Sequence, residues 1–192
     1  MSKKQQPDLK ILSRKTLHKG FGILQQVRAT DGHIELDQEV FDSGDAVAIF
    51  LYHPGRRCVL FVEQIRIATA LNGNPGGRLL ELCAGRTEGG EPLATAKREI
   101  QEETGYDVAD LQSIGVVYMS PGVHTQRLHL YAASYDGVSR SGKGGGLPEE
   151  SEELELIEHS FEEVRKMLDE GALKDAKTMI LLQWALTRGL LD

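Results

Sequence analysis

The sequence predicts an α/β protein: a mixed sheet held between helices in α/β/α layers, with a small antiparallel β region ahead of it. Three observations lead there. Apolar, β-branched runs of strand length recur along the chain, while few segments carry the apolar period of a helix. The central strands arrive as a pair joined by a tight turn and not in strand–helix–strand alternation, which disfavours a doubly wound parallel sheet. The first 44 residues are too few to fold alone and too strand-rich to be a tail. The chain therefore divides into residues 1–44, a β region suited to packing on or swapping with a second subunit, and residues 45–192, the main domain.

Strand-like segments open the chain near Lys10–Ser13, Gly22–Arg28 and His33–Phe41. Between the last two stands Thr30-Asp31-Gly32, whose Asp-Gly step favours a hairpin turn. The run AVAIFLYHPGRRCVLFVEQIR follows, and His53-Pro54-Gly55-Arg56 breaks it into two buried strands of one antiparallel pair. LLELCAG (79–85) reads as a further strand. Pro92 to Glu103 reads as a helix: Pro92 suits its first turn, Leu93, Ala96 and Ile100 form its apolar stripe, and Gly105 takes the C-cap position. Strands are expected at Ser113–Met119, Arg127–Tyr135 and Leu154–Glu158, and helices at Phe161–Glu170 and Lys177–Leu191. One low-complexity patch, SRSGKGGGLPEE (139–150), interrupts this order.

Of 192 residues, 40% are hydrophobic and 27% charged, the balance of an ordinary globular protein. The net charge of −7, with basic residues scattered, argues against a nucleic acid or an anionic membrane as partner. Cys58 and Cys83 each lie among apolar neighbours and read as reduced core thiols. The segment MSKKQQPDLK lacks the apolar stretch of a secretion signal, and no run reaches membrane-spanning length; the expected compartment is the cytoplasm.

The chemistry concentrates in AGRTEGGEPLATAKREIQEETGY (84–106). Glu99 and Glu103 are four apart on the expected helix and share a face, and Glu102, three from Glu99, leans the same way. Like charges at that spacing repel by a few tenths of a kcal/mol. A bound cation converts the repulsion into ligation, and hard oxygen ligands suit Mg²⁺.

This segment resembles the Nudix box, G-x5-E-x7-R-E-U-x-E-E-x-G-U with U apolar. Gly85 and Glu91 match its opening, and REIQEETGY (98–106) its end. Six residues instead of seven separate Glu91 from Arg98, which puts Glu91 in more doubt than Glu99 or Glu103, and Tyr106 is a loose match to the last apolar position. QIRIATALNGN (64–74), LLELCAG, YMSPG (118–122), the later GGG and DAKT (175–178) extend the resemblance to the GDP-mannose hydrolase branch of the dimeric, ADP-ribose-pyrophosphatase-like Nudix proteins, in which the shortened spacing is a subfamily mark.

The resemblance implies the Nudix fold, a homodimer, and hydrolysis of a nucleoside diphosphate sugar with Mg²⁺, or Mn²⁺ in its place. It implies Glu99, Glu103 and the Ala84 carbonyl as metal ligands, Glu102 and Arg98 as their catalytic neighbours with Arg98 orienting the glutamates, and Gly85 at the substrate. A further acidic ligand falls in LPEESEELEL, at Glu152, with Glu150 and Glu153 as competitors. Arg66 and Lys177 are implied as substrate contacts, and Gln38 and Glu39 occupy the region where a partner's N-terminal strands reach the site. Gln126 stands where the branch generally has a glutamate; a neutral amide still accepts a hydrogen bond but adds no charge to a cation. His124 and His129 read as loop or strand histidines. GDP-mannose leads as substrate, ADP-ribose is the rival within the class, and a sugar-nucleotide sensor or a purely structural dimerisation protein are the readings outside it. Retention of all three box glutamates favours catalysis.

Overall fold

The computed structural model describes residues 8–146 and 154–192. Among them, strands β1 (Lys10–Lys19), β2 (Ile23–Thr30) and β3 (Glu35–Asp42) form an antiparallel sheet in the order β1-β2-β3. The β2–β3 turn falls where the Asp-Gly step sits. Gly32 takes φ +92°, and Asp31 Oδ1 accepts the N–H groups of His33 and Ile34 at 2.9 and 3.0 Å. β1 runs six residues beyond the expected Ser13. Its polar second half has no apolar alternation and is held by pairing with β2 through two bulges.

The second sheet contains β4 (Ala46–His53), β5 (Cys58–Ile65), β6 (Arg78–Glu81), β7 (Ala84–Arg86), β8 (Gln112–Tyr118), β9 (Arg127–Ser134) and β10 (Glu155–Ser160). Its path is β10-β5-β4-β9-β8, with only β4 and β9 parallel, so the sheet is mixed. β4 carries the layering in its own sequence. Val47, Ile49 and Leu51 face one apolar cluster, with Ala96 and Ile100; Ala48 and Phe50 face the other, with Val164, Leu168, Leu181 and Leu182. Helix α2 (Pro92–Glu99) thus covers one face, and α3 (Phe161–Asp169) and α4 (Ala176–Thr187) the other. Cys58 and Cys83 are both buried and free.

Local chemistry sets the helix ends. Ser160 and Glu163 form a reciprocal capping box at α3. Asp175 caps α4 by accepting Thr178 N–H, and α4 ends at Thr187, short of the expected Leu191. Among the described residues no helix is long and apolar enough to cross a membrane.

One feature of the sheet builds the site. β4 and β5 pair only next to their connecting turn, over Leu51–His53 and Cys58–Leu60, and then splay apart. The segment 78–86 fills the wedge: β6 pairs with β5, and β7 pairs with β4. The single strand expected at 79–85 is therefore two, broken at Leu82-Cys83, because its halves bond to different diverging neighbours. A short helical turn, α1 (Ile67–Ala70), lies between β5 and β6.

Candidate active site

The wedge opens into a cleft of about 480 Å³ lined by Arg66, Ala84, Gly85, Arg98, Glu99, Glu102, Glu103, Gln126 and Lys177, all anticipated from sequence, and by Phe21, Gln64, Arg86 and Glu88, which were not. Its floor is the helix at 92–104. Glu91 caps that helix, its carboxylate accepting Ala94 N–H at 3.0 Å, which gives this residue a structural task. From Ile100 to Thr104 the helix continues as a π-turn and stops at Gly105, φ +75°. Such turns are rare and concentrate at functional sites.

Glu99 and Glu103 are buried although each carries a carboxylate, 7% and 2% exposed. Glu103 Oε2 accepts Ala84 N–H at 3.3 Å, joining the helix to β7. Arg98 ion-pairs with Glu99 at 2.6 Å and with Glu102. Burial lowers the tendency of Arg98 to stay charged, but the two carboxylates more than restore it and hold its pKa above the ordinary value. Gly85 leaves the room that Glu99 occupies: a Cβ there would overlap the Glu99 carboxylate. We therefore predict that Gly85→Ala displaces Glu99 and lowers kcat by on the order of 10²-fold. Wild-type turnover in that variant would show that the Glu99 carboxylate works from another position.

On the opposite wall Arg66 and Lys177 converge on Glu81, 1% exposed, a residue that sequence reasoning passed over. Arg66 donates through Nε and Nη2 at 2.6 and 2.8 Å, and Lys177 pairs with both Glu81 and Asp175. Burial pushes the Glu81 carboxyl up. Hydrogen bonds from Arg66 and the Lys177 charge outweigh it, so the net pKa is lowered. The signal that could have found Glu81 is an acid within an apolar strand, which needs a buried cationic partner. DAKT also acquires a physical meaning: Asp175 caps α4, Lys177 reaches Glu81, and the Thr178 hydroxyl accepts Leu82 N–H at 2.9 Å.

At the mouth, Arg86 lies 4.3 Å from the ring centroid of Phe21, which is 75% exposed at the β1–β2 turn. Arg86 Nε donates to Ser43 O at 3.0 Å. Gln126 Nε2 lies 3.4 Å from Ser43 Oγ, and His124 Nε2 is 2.8 Å from the same hydroxyl. His124 is in the loop before β9, and His129 is on β9, 3.8 Å from Asp45. Gln38 and Glu39 lie on β3 and do not line the cleft of their own chain. Glu150, Glu152 and Glu153 lie outside the described residues.

A divalent cation suits this donor set. Among the described residues no three acidic, histidine or cysteine side chains form a closed cage. Mg²⁺ needs none, since it keeps several waters and binds through one or two carboxylates plus substrate phosphates. Two buried carboxylates on one helix face, with Gly85 reserving the space of one, fit that pattern.

Comparison with known proteins shows the family. The NUDIX domain family model matches residues 42–182, and the chain belongs to that family. A GDP-mannose pyrophosphatase of Cronobacter sakazakii is 36% identical over 190 residues, 96% of this chain and 98% of its own. One from Pectobacterium atrosepticum is 42% identical over 162 residues, 84% of this chain and 83% of its own. A crystal structure of an ADP compounds hydrolase superposes with a TM-score of 0.75 at 19% identity, covering 98% of this chain and 99% of that one, which shows the shared fold. Nudix hydrolases in general require a divalent metal.

Proposed function

We propose that this chain hydrolyses the pyrophosphate bond of a nucleoside diphosphate sugar, with GDP-mannose and water giving GMP and mannose 1-phosphate. The observation that carries the reading is one cleft with two buried carboxylates on its helical floor and Arg66, Arg86, Arg98 and Lys177 on its walls. Four lining carboxylates, Glu88, Glu99, Glu102 and Glu103, offset those four cations, and Glu81 lies behind two of them. Among the described residues the cleft thus offers a pyrophosphate no surplus positive charge. Glu99, Glu103 and the Ala84 carbonyl would hold Mg²⁺, or Mn²⁺, closing that deficit. When bound, the ion neutralises phosphate charge and lowers the pKa of a coordinated water. Arg98, ion-paired with Glu99 and Glu102, orients them, and Arg66 and Lys177, fixed by Glu81, present cationic donors to the phosphates. The names of the relatives support GDP-mannose as the sugar nucleotide.

The same proposal includes a homodimer and a cytoplasmic setting. Leu9, just before β1, and Ile11 and Leu12 on it are about half exposed, beside an apolar groove of about 260 Å³ that a second copy would cover, and the partner's Gln38 and Glu39 are part of the proposed site. The buried free thiols of Cys58 and Cys83 suit a reducing compartment. Light scattering tests the first point; a monomeric mass would overturn it.

The deciding experiment incubates the protein with Mg²⁺ and, separately, GDP-mannose and ADP-ribose, and quantifies the mononucleotide released. GMP release in preference to AMP is expected. Preferential AMP release would move the chain to ADP compounds. Binding of GDP-mannose without cleavage would make it a sensor, with Gln126 the first position to revert to glutamate.

A further inference from the structure

Residues 140–146, the glycine patch, pack on the end of the helix that carries the glutamates. A helix end leaves carbonyls without intrahelical donors, and this patch supplies them. Gly146 N–H donates to Glu102 O at 3.3 Å and Gly145 N–H to Glu103 O at 2.7 Å. Arg140 Nε donates to Thr104 O at 3.1 Å, and the N–H groups of Ser141 and Gly142 donate to Gly105 O at 2.8 and 3.1 Å. One segment thereby satisfies four consecutive carbonyls, those of Glu102 and Glu103 among them.

The fit demands glycine. Gly144, Gly145 and Gly146 take φ of +66°, +99° and +82°, where a side chain is strained. A Cβ on Gly144 would also lie 2.6 Å from Glu103 O and 2.9 Å from Thr104 Cα. Arg140 is steadied by the Tyr106 ring, 5.8 Å from its centroid.

We propose that this glycine segment is a positioning element for the metal-binding carboxylates. A π-turn has poorer intrinsic stability than the α-helix it interrupts and persists where its surroundings hold it. Clamped at its carbonyls, the turn fixes how Glu102 and Glu103 are rotated relative to Glu99. Released, it rewinds toward α-helical spacing and the carboxylates lose their common focus. The inference rests on the divalent-cation reading of the cleft and gives a function to a patch that composition alone marks as low complexity.

Mn²⁺ binding without substrate, followed by electron paramagnetic resonance, tests it on Gly144→Ala, Arg140→Ala and a control, Gly137→Ala. Gly137 has a similar φ of +70° and open space around it, so it carries the same backbone strain away from the helix. Gly144→Ala is expected to weaken Mn²⁺ binding by on the order of tenfold or more, with a parallel fall in kcat and an unchanged KM for GDP-mannose. Arg140→Ala, whose exposed side chain leaves the core intact, should show a smaller loss in the same direction, and Gly137→Ala none. Equal Mn²⁺ affinity in the Gly144 and Gly137 variants overturns the proposal, as does wild-type affinity in Arg140→Ala should the Gly144 variant fail to fold. If the wild type binds Mn²⁺ yet cuts no sugar nucleotide, the substrate reading fails while the binding comparison still decides the clamp. If the wild type binds no Mn²⁺, both fall.

Discussion

Glu103→Gln is expected to lower kcat by on the order of 10³-fold, the scale of removing a principal electrostatic element from a preorganised site. The amide has the size of the carboxylate and can still accept Ala84 N–H, now 3.3 Å from Glu103 Oε2, so the helix–strand contact and the fold survive. What disappears is negative charge at a position 2% exposed, where little water screens it and a cation feels it most. Glu102→Gln should cost less, because Glu102 is more exposed and its visible partner is Arg98. Initial rates of GMP release across a Mg²⁺ titration, with a melting curve for each variant, make the comparison. Near-wild-type turnover in Glu103→Gln at saturating Mg²⁺ would remove this residue from the ligand set and, with it, the main support for the proposed site.

The second large effect is on stability. Glu81→Ala should cost about 3 kcal/mol, the low end for breaking a buried ion pair, because Arg66 keeps access to solvent and Lys177 keeps Asp175 at 3.0 Å. For a chain of this size the melting temperature would fall by about 10 °C. KM should rise as well, since Arg66 and Lys177 lose the carboxylate that aims them. The pH dependence has a definite sign. The Glu81 pKa is lowered in the folded protein, so its contribution is present at neutral pH and lost as pH falls through the lowered value. Wild-type stability should therefore drop with acidification below the ordinary glutamate value of about 4.3, and the Glu81→Ala variant should show a shallower slope there. Coincident melting of the two proteins at pH 7 would mean that the triad contributes no net stability.

Much of this molecule is legible in one dimension because the controlling physics is local. Alternation in AVAIFLYH sends residues of β4 to opposite faces and so specifies helices on both. Asp31-Gly32 sets a hairpin, Gly105 stops a helix, and the 98–105 spacing places three glutamates on one turn. Arg66, Lys177 and Gln126, expected from resemblance, do line the same cleft as the box.

The remainder was decided by contacts distant in sequence. LLELCAG splits into two strands because β4 and β5 diverge, and no pattern within seven residues encodes the direction of its neighbours. Glu81 becomes the junction of Arg66 and Lys177 only once β5, β6 and α4 meet, and burial then converts an isolated acid into a paired one. Arg86 meets Phe21 through a turn more than sixty residues away, and the glycine patch meets the box helix across a reversal of the chain. The sequence by itself determined the layers, the family and the helix that bears the carboxylates, since propensity, alternation and motif spacing act within a few residues. Tertiary structure alone decided how those carboxylates are held and which charges face them, because hydrogen-bond partners and desolvation depend on what the folded chain brings alongside.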